Sequence, residues 1–244
     1  LGRLFQSEFL KLRKSLIWLL IFVSPILSLF LGLLESNEIT NVKGAEWMTT
    51  LSMMTISHAI LFLPLLAGVF SSFVCRYEHA GGGWKQLLAM PVSRGSIYVA
   101  KLLVVAALIA ATQLLFVVCL LFIGWVKGYP SVIPWDSIAI SIVGGWVACL
   151  PLIALQMFVS VAWSSFAAPL ALNVILTIPN MLIINSEKFG PYYPWAQPFL
   201  AMMPNSSEGF GALNVSLVTL LIVILGSLGL FLSSGFVYFK RKEV

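Results

Sequence analysis

The sequence predicts an all-α membrane protein with six transmembrane helices and both termini on the cytoplasmic side. Three observations predict it. First, 60% of the 244 residues are hydrophobic and only 9% are charged. A soluble domain carries about 25% charged residues, so this chain has too little polar surface to cover a globule in water, and lipid is its natural solvent. Second, the apolar residues fall into six runs of about 19–26 residues, each long enough for a hydrocarbon core of roughly 30 Å. Third, the basic residues lie between the runs and favour one side. With the N-terminus inside, Arg3, Lys11, Arg13, Lys14, Arg76, Lys85, Arg94, Lys101, Lys240, Arg241 and Lys242 face the cytoplasm, while Lys43, Lys127 and Lys188 face out. Positive charge gathers on the inner side of membrane proteins. The net charge of +5 therefore speaks to orientation, and nucleic acid is not an expected partner.

The elements follow in order. Residues 1–14, with "RLFQSEFLKLRKS", place Leu4, Phe5, Phe9 and Leu12 at helical spacing, with Arg3, Gln6, Lys11, Arg13 and Lys14 mostly elsewhere. That pattern predicts a short basic amphipathic helix lying in the inner membrane surface. Phe5, Phe9, Lys11 and Arg13 are its candidate interface residues. The runs Ser15–Leu34, Thr50–Val74, Leu102–Val126, Ser137–Ala162, Phe166–Asn185 and Ser216–Phe239 are the expected spans. The first is about nineteen residues and lacks a small-residue cleavage site, so it reads as a retained span rather than a signal peptide. Only "WSSF", Trp163 to Phe166, separates the fourth from the fifth. A tight helical hairpin is expected there, and a single broken helix is the alternative.

The spans hold little chemistry. No Asp, Glu, Lys or Arg lies well inside one, which argues against a proton-coupled antiporter or a voltage sensor. His58, Gln113, Gln156, Asn173 and Asn180 are the polar side chains at depth, and interhelical hydrogen bonds are their expected role. Cys75, Cys119 and Cys149 are widely spaced and support neither a metal site nor a disulfide framework. No HExxH or GxSxG is present. Catalysis within this chain is not expected.

The loop between the second and third spans, residues 76–101, is the most organised polar segment. Gly81-Gly82-Gly83 followed by Trp84-Lys85-Gln86 is not a phosphate-binding loop, because the spacing is wrong and no Ser or Thr follows the lysine. The glycines permit a reversal. Trp84, Leu87 and Leu88 stand at i, i+3 and i+4 and share one face of a short helix, and Pro91 ends it. Ser93 is placed to cap the next helix, which runs through Tyr98 and Lys101. The apolar face has three candidate surfaces: lipid headgroups, the protein's own bundle, or a groove in a soluble partner.

This loop resembles that of ABC-2-type transporter permeases, the type V exporter architecture. Glu78, Gly83, Trp84, Lys85, Gln86, Leu87, Leu88, Ala89, Pro91, Val92, Ser93, Arg94, Tyr98 and Lys101 carry the resemblance, and within that group it is similar to bacterial permeases of lantibiotic immunity and bacitracin resistance. The resemblance implies a multi-pass permease of the bacterial cytoplasmic membrane. It implies two cytoplasmic ATPase subunits that bind the ATP and magnesium, with no cofactor on this chain. It also implies a second permease, the same chain or a different one, and a peptide cargo. Glu78, Trp84, Lys85, Gln86, Leu87, Leu88, Pro91 and Arg94 would then couple to the ATPase. Residues 186–215 would form an outer re-entrant region, where Tyr192, Tyr193, Trp195, Phe199 and Met202 either meet cargo or plug the bundle. Export of another cargo (a drug, a lipid or the producer's own peptide) and a non-transporting sensor or scaffold are the rival functions.

Overall fold

The computed structural model describes residues 2–13, 15–34, 46–79, 83–89, 91–130, 132–203 and 215–242, the side chain of Leu88 excepted. All regular structure among them is helical. Helix α1 spans Gly2–Lys11 and α2 Ile17–Leu34. One long helix, Glu46–His79, consists of α3 (Glu46–Ser57), a π-helical turn (His58–Phe62) and α4 (Leu63–His79). The short α5 is Gly83–Leu88, and α6 (Arg94–Lys127) and α7 (Trp135–Ala162) follow. Then come α8 (Ala167–Thr177), α9 (Asn180–Ile183), two 3-10 turns, α10 (Gln197–Met202) and α11 (Leu217–Arg241).

Five of these stretches are long and apolar enough to cross a membrane: Ile17–Leu34, Glu46–His79, Arg94–Lys127, Trp135–Ala162 and Leu217–Arg241. Two run beyond their apolar runs, α6 as the expected Ser93 cap requires. The second begins at Glu46 and continues to His79, and α6 begins eight residues before Leu102, at Arg94. Ser93 is the reason for the latter. Its backbone is extended and its side chain accepts from the Ser96 N–H, so the helix starts at the cap rather than at the apolar run. At 1.5 Å per residue α6 is about 50 Å long, well beyond a hydrocarbon core.

The expected fifth span differs most. Its helix, Ala167–Ile183, is shorter and is divided into α8 and α9. Pro179 lacks a backbone donor and ends the first piece. Trp163 is extended and terminates α7, and the chain then reverses. Late in α4, His79 meets the Ser160 carbonyl near the end of α7, whereas Gln156, one turn earlier in α7, is joined through Asn173 of α8 to Pro64 and Leu65 at the start of α4, and Phe166, just before α8, meets Phe73. So α7 runs along α4 in the same direction and α8 runs against it. The two form the hairpin.

Polar groups in α8 and α9 repair the backbone of the long second helix. A proline pushes away the carbonyl four residues before it. For Pro64 that is Ile60, and Asn180 Nδ2 donates to the Ile60 carbonyl at 2.8 Å. The π turn lies just before the proline, where the Leu63 N–H bonds to the His58 carbonyl. Asn173 Nδ2 donates to the Pro64 and Leu65 carbonyls at 2.9 and 3.1 Å, and its Oδ1 accepts from Gln156 Nε2 at 3.1 Å. Gly68 makes room for it, because a Cβ there would sit 2.2 Å from Asn173 Nδ2.

The core lies where α4, α6 and α7 meet, around Phe70, Leu108, Phe116, Leu152 and Met157. By contrast, only Ile224, Gly235 and Phe239 of α11 are buried. Lys11 of α1 meets Glu78, and Arg94 meets the backbone of Lys240 and Lys242. Both ends of the described chain therefore lie at one end of the bundle, together with α5.

Candidate functional site

The basic end of the bundle is built around α5. The helix folds back sharply on α4: a Cβ at Gly83 would lie 2.8 Å from Glu78 Cα and 2.9 Å from the Tyr77 carbonyl. Only glycine fits that reversal. Gly81 and Gly82 lie outside the described residues. Trp84 and Leu87 share a face, as their spacing predicts, and that face turns inward. They are 5% and 7% exposed, packed in this chain's own core. Of the three surfaces open to this face, the protein's own bundle covers these two side chains. Lys85 and Gln86 are exposed and form the outward face. The Leu88 side chain lies outside the described residues.

Trp84 is held from several sides. Its ring packs on Phe239 of α11 at 5.3 Å and edge-on to His79 at 5.6 Å. The Lys101 and Lys242 ammoniums stand 5.8 and 5.4 Å from the ring centre, within the range of cation–π attraction. The Trp84 Nε1–H donates to His79 Nδ1 at 3.2 Å, so His79 carries its proton on Nε2 and donates it to the Ser160 carbonyl at 2.7 Å. Lys242 Nζ donates to the Val161 carbonyl at 2.5 Å. Arg94 donates to the Lys240 and Lys242 carbonyls at 3.1 and 2.6 Å, satisfying free acceptors at the end of α11. Pro91 is exposed.

Beneath Trp84 lies a closed ring of four charges. Lys11 Nζ is 2.6 Å from Glu8 Oε1 and 2.8 Å from Glu78 Oε1. Lys101 Nζ is 2.6 Å from Glu8 Oε2 and 2.9 Å from Glu78 Oε2, the last contact lying outside hydrogen-bond geometry. Lys101 also donates to the Val74 carbonyl. Glu8, Glu78 and Lys101 are buried, and Lys11 enters from the edge. Burial penalises the Lys11 ammonium, but the hydrogen bonds and charges of Glu78 and Glu8 outweigh that and raise its pKa above the ordinary lysine value. Two buried carboxylates would repel; alternating them with two ammoniums brings the cluster to neutrality. The ring joins α1, α4 and α6, and Lys101 connects it to α5.

Sequence alone places Glu78 and Lys11 at interfaces and assigns Glu8 no role. A signal was present. Glu8 falls between Phe5 and Leu12 on the apolar stripe of α1, at spacings of three and four residues, an odd place for the one acid of a basic helix. Phe5 is half-buried, while Phe9 and Arg13 are exposed. Phe9 meets Trp18 edge-on at 5.3 Å, and Trp18 Nε1 donates to the Leu12 carbonyl, fixing the turn from α1 into α2.

The opposite end is closed by the segment from Gly190 to Met202. Trp195, Phe199 and Met202 are 5%, 5% and 0% exposed. These three, open to either cargo contact or a plug of the bundle, are core residues here, and of the five only Tyr192 stands open. Tyr193 is half-buried and donates to the Leu176 carbonyl. The plug is fastened by polar groups. Gln113 Nε2 lies 3.4 Å from Met202 Sδ, and Ser141 donates to the Met202 carbonyl. Gln113 Oε1 meets His58 Nε2 at 3.2 Å, and His58 Nδ1 meets Ser24 Oγ at 2.6 Å. His58 is thus an interhelical residue with both ring nitrogens engaged. Among the described residues no group of His, Cys, Asp and Glu could hold a metal ion.

The chain is similar to the bacitracin transport permease protein BCRB of Bacillus licheniformis, 25% identical over 202 residues, which are 78% of this chain and 92% of that protein. A family model described as ABC-2 family transporter protein matches residues 4–180, from α1 through α7 to the start of α9. This multi-pass membrane protein belongs to the ABC-2 transporter family.

Proposed function

We propose that the chain is the permease subunit of an ATP-driven bacterial exporter that clears an antimicrobial peptide, of the bacitracin or lantibiotic kind, from the cytoplasmic membrane. The observation that carries the reading is the anchoring of α5 to the rest of the bundle. Trp84 is gripped by Lys101, Lys242, His79 and Phe239, so α5 cannot shift without moving α1, α4, α6 and α11. A coupling element needs that property, because it must pass a push from a soluble subunit to the spans. Its free face, Lys85 and Gln86, is where two ATPase subunits would dock, one on each of two permeases. ATP and magnesium would bind to those subunits alone. The bacitracin permease relative supports the peptide cargo.

In this reading the basic end of the bundle is cytoplasmic and α8 with α9 supplies a sixth crossing. Residues 1–14 form the interface helix, 76–101 the coupling loop and 186–215 the outer region, of which 204–214 lie outside the described residues; of the five residues named for cargo, Tyr192 and Tyr193 are the side chains available to it. The test is reconstitution with the ATPase subunit. Lys85→Glu with Gln86→Ala is expected to weaken ATPase binding and abolish peptide-stimulated turnover while the permease stays folded. Unchanged assembly and turnover would overturn the reading. Peptide resistance retained with an ATPase subunit that cannot hydrolyse ATP would favour a sensor or scaffold instead.

A further inference from the structure

We propose that the groove between α7 and α11 at the basic end of the bundle binds an anionic phospholipid. The groove has a volume of about 550 Å³ and is lined by Phe158, Ser233, Ser234, Val237, Tyr238 and Arg241. The argument begins with the run Lys240-Arg241-Lys242. Successive helix residues point about 100° apart, and the three cations part company. Lys240 lies over the Phe236 ring, 4.5 Å from its centre. Lys242 turns inward to the Val161 carbonyl and the Trp84 ring. Arg241 is exposed at the groove and has no ion-pair or hydrogen-bond partner among the described residues.

The face it shares is made for a lipid. Ser234, Tyr238 and Arg241 stand at i, i+4 and i+7, one above another along α11. Arg241, in the last turn, sits at headgroup level. Its planar fork of donors matches a phosphate. Tyr238, one turn away, lines the same groove, and its ring stacks edge-on with Phe158 at 5.4 Å. Further into the membrane, Ser233 and Ser234 leave the wall low. Both hydroxyls already donate to the Leu230 carbonyl at 3.0 and 2.7 Å, so an acyl chain can lie over them without stranding a donor. A charged head, an aromatic flank and a small-residue channel suit one occupant: a phospholipid whose headgroup carries net negative charge. Basic pockets between transmembrane helices bind such headgroups. Only the leaflet, the inner one, rests on the orientation proposed above; the binding itself does not.

The test titrates the purified 244-residue chain in detergent with dioleoylphosphatidylglycerol or dioleoylphosphatidylcholine and counts bound lipid by native mass spectrometry. Wild type is expected to retain one phosphatidylglycerol per chain where phosphatidylcholine leaves. Arg241→Gln should lower the phosphatidylglycerol preference roughly five-fold, the effect of one basic residue at a headgroup. Ser234→Leu fills the groove but keeps the charge, and should weaken both lipids. Lys240→Gln should change little. Equal retention of the two lipids by wild type would overturn the proposal. So would an equal loss in Lys240→Gln and Arg241→Gln, which would mean diffuse attraction to the basic end. If Ser234→Leu leaves lipid binding unchanged but separates cross-linkable permease pairs, a second copy fills the groove and the proposal fails. A detergent measurement has no membrane sides, so an inverted orientation would not change its outcome.

Discussion

Glu8 shows how one residue can fix an interface. Its two oxygens accept from different lysines, Lys11 on its own helix and Lys101 on α6. Removing one partner of a buried pair leaves an uncompensated charge, at a cost of about 3–5 kcal/mol. Glu8→Gln is therefore expected to destabilise the purified permease by that order, read as a lowered midpoint of thermal unfolding. Lys101→Met should do the same, since it leaves Glu8 and Glu78 facing each other with one cation. Because both changes break one ring, the double substitution should cost well under the sum of the two. Additive losses would mean that the ring does not act as a unit. Trp84 and Lys85 make a second contrast. Trp84→Ala should cost the isolated permease about 3–5 kcal/mol, as for other buried aromatics. Lys85→Glu, on the open face, should stay within about 0.5 kcal/mol and act only when the ATPase subunit is present. If Trp84→Ala left the isolated permease as stable as wild type, the inward packing of α5 would be wrong.

At the scale of elements, the second long helix depends on its neighbour. Pro64 frees the Ile60 carbonyl, and Asn180 restores a hydrogen bond to it. Asn180→Leu would leave that acceptor unpaired in the interior, a loss of about 1–3 kcal/mol. Gly68→Ala would displace Asn173 from the Pro64 and Leu65 carbonyls and should cost a similar amount. Thermal unfolding of the two variants checks both, and wild-type midpoints would show that these bonds contribute nothing. The sequence carried much of this. Run lengths located the helices, Ser93 marked the start of α6, and the depth of Asn173, Asn180 and Gln156 pointed to interhelical bonds. The direction in which α5 buries its face was not readable, because periodicity defines a face and not what covers it. The charge ring was hidden for a similar reason: Glu78 and Lys101 stand 67 and 93 residues from their α1 partners, and no local pattern links them. Whether Trp195, Phe199 and Met202 meet cargo or plug the bundle was not readable, because aromatic and sulfur side chains suit an open surface and a core equally well.

At the scale of the whole molecule, the two ends are closed by opposite means. The basic end is tied by ions: the charge ring, the cations around Trp84, and Arg94 on the end of α11. The other end is tied by an apolar plug fastened through Gln113, His58 and Ser24. Ionic ties tolerate water, so they suit an end that meets a soluble subunit. A dry plug suits an end that must stay sealed until cargo leaves. This asymmetry makes the proposed orientation testable with single cysteines. Cys75 and Cys149 are buried and Cys119 is partly buried, so all three are first replaced by alanine. Gln86 and Tyr192 are then changed to cysteine one at a time, since both side chains are exposed and lie at opposite ends of the bundle. A membrane-impermeant maleimide applied to intact cells should label Tyr192→Cys, and should label Gln86→Cys only after the membrane is opened. An odd number of crossings between the two positions requires opposite sides. Labelling of both from outside would remove α8 with α9 from the count of crossings, leaving five. The reverse pattern would keep six and place the basic end outside, against the distribution of its lysines and arginines.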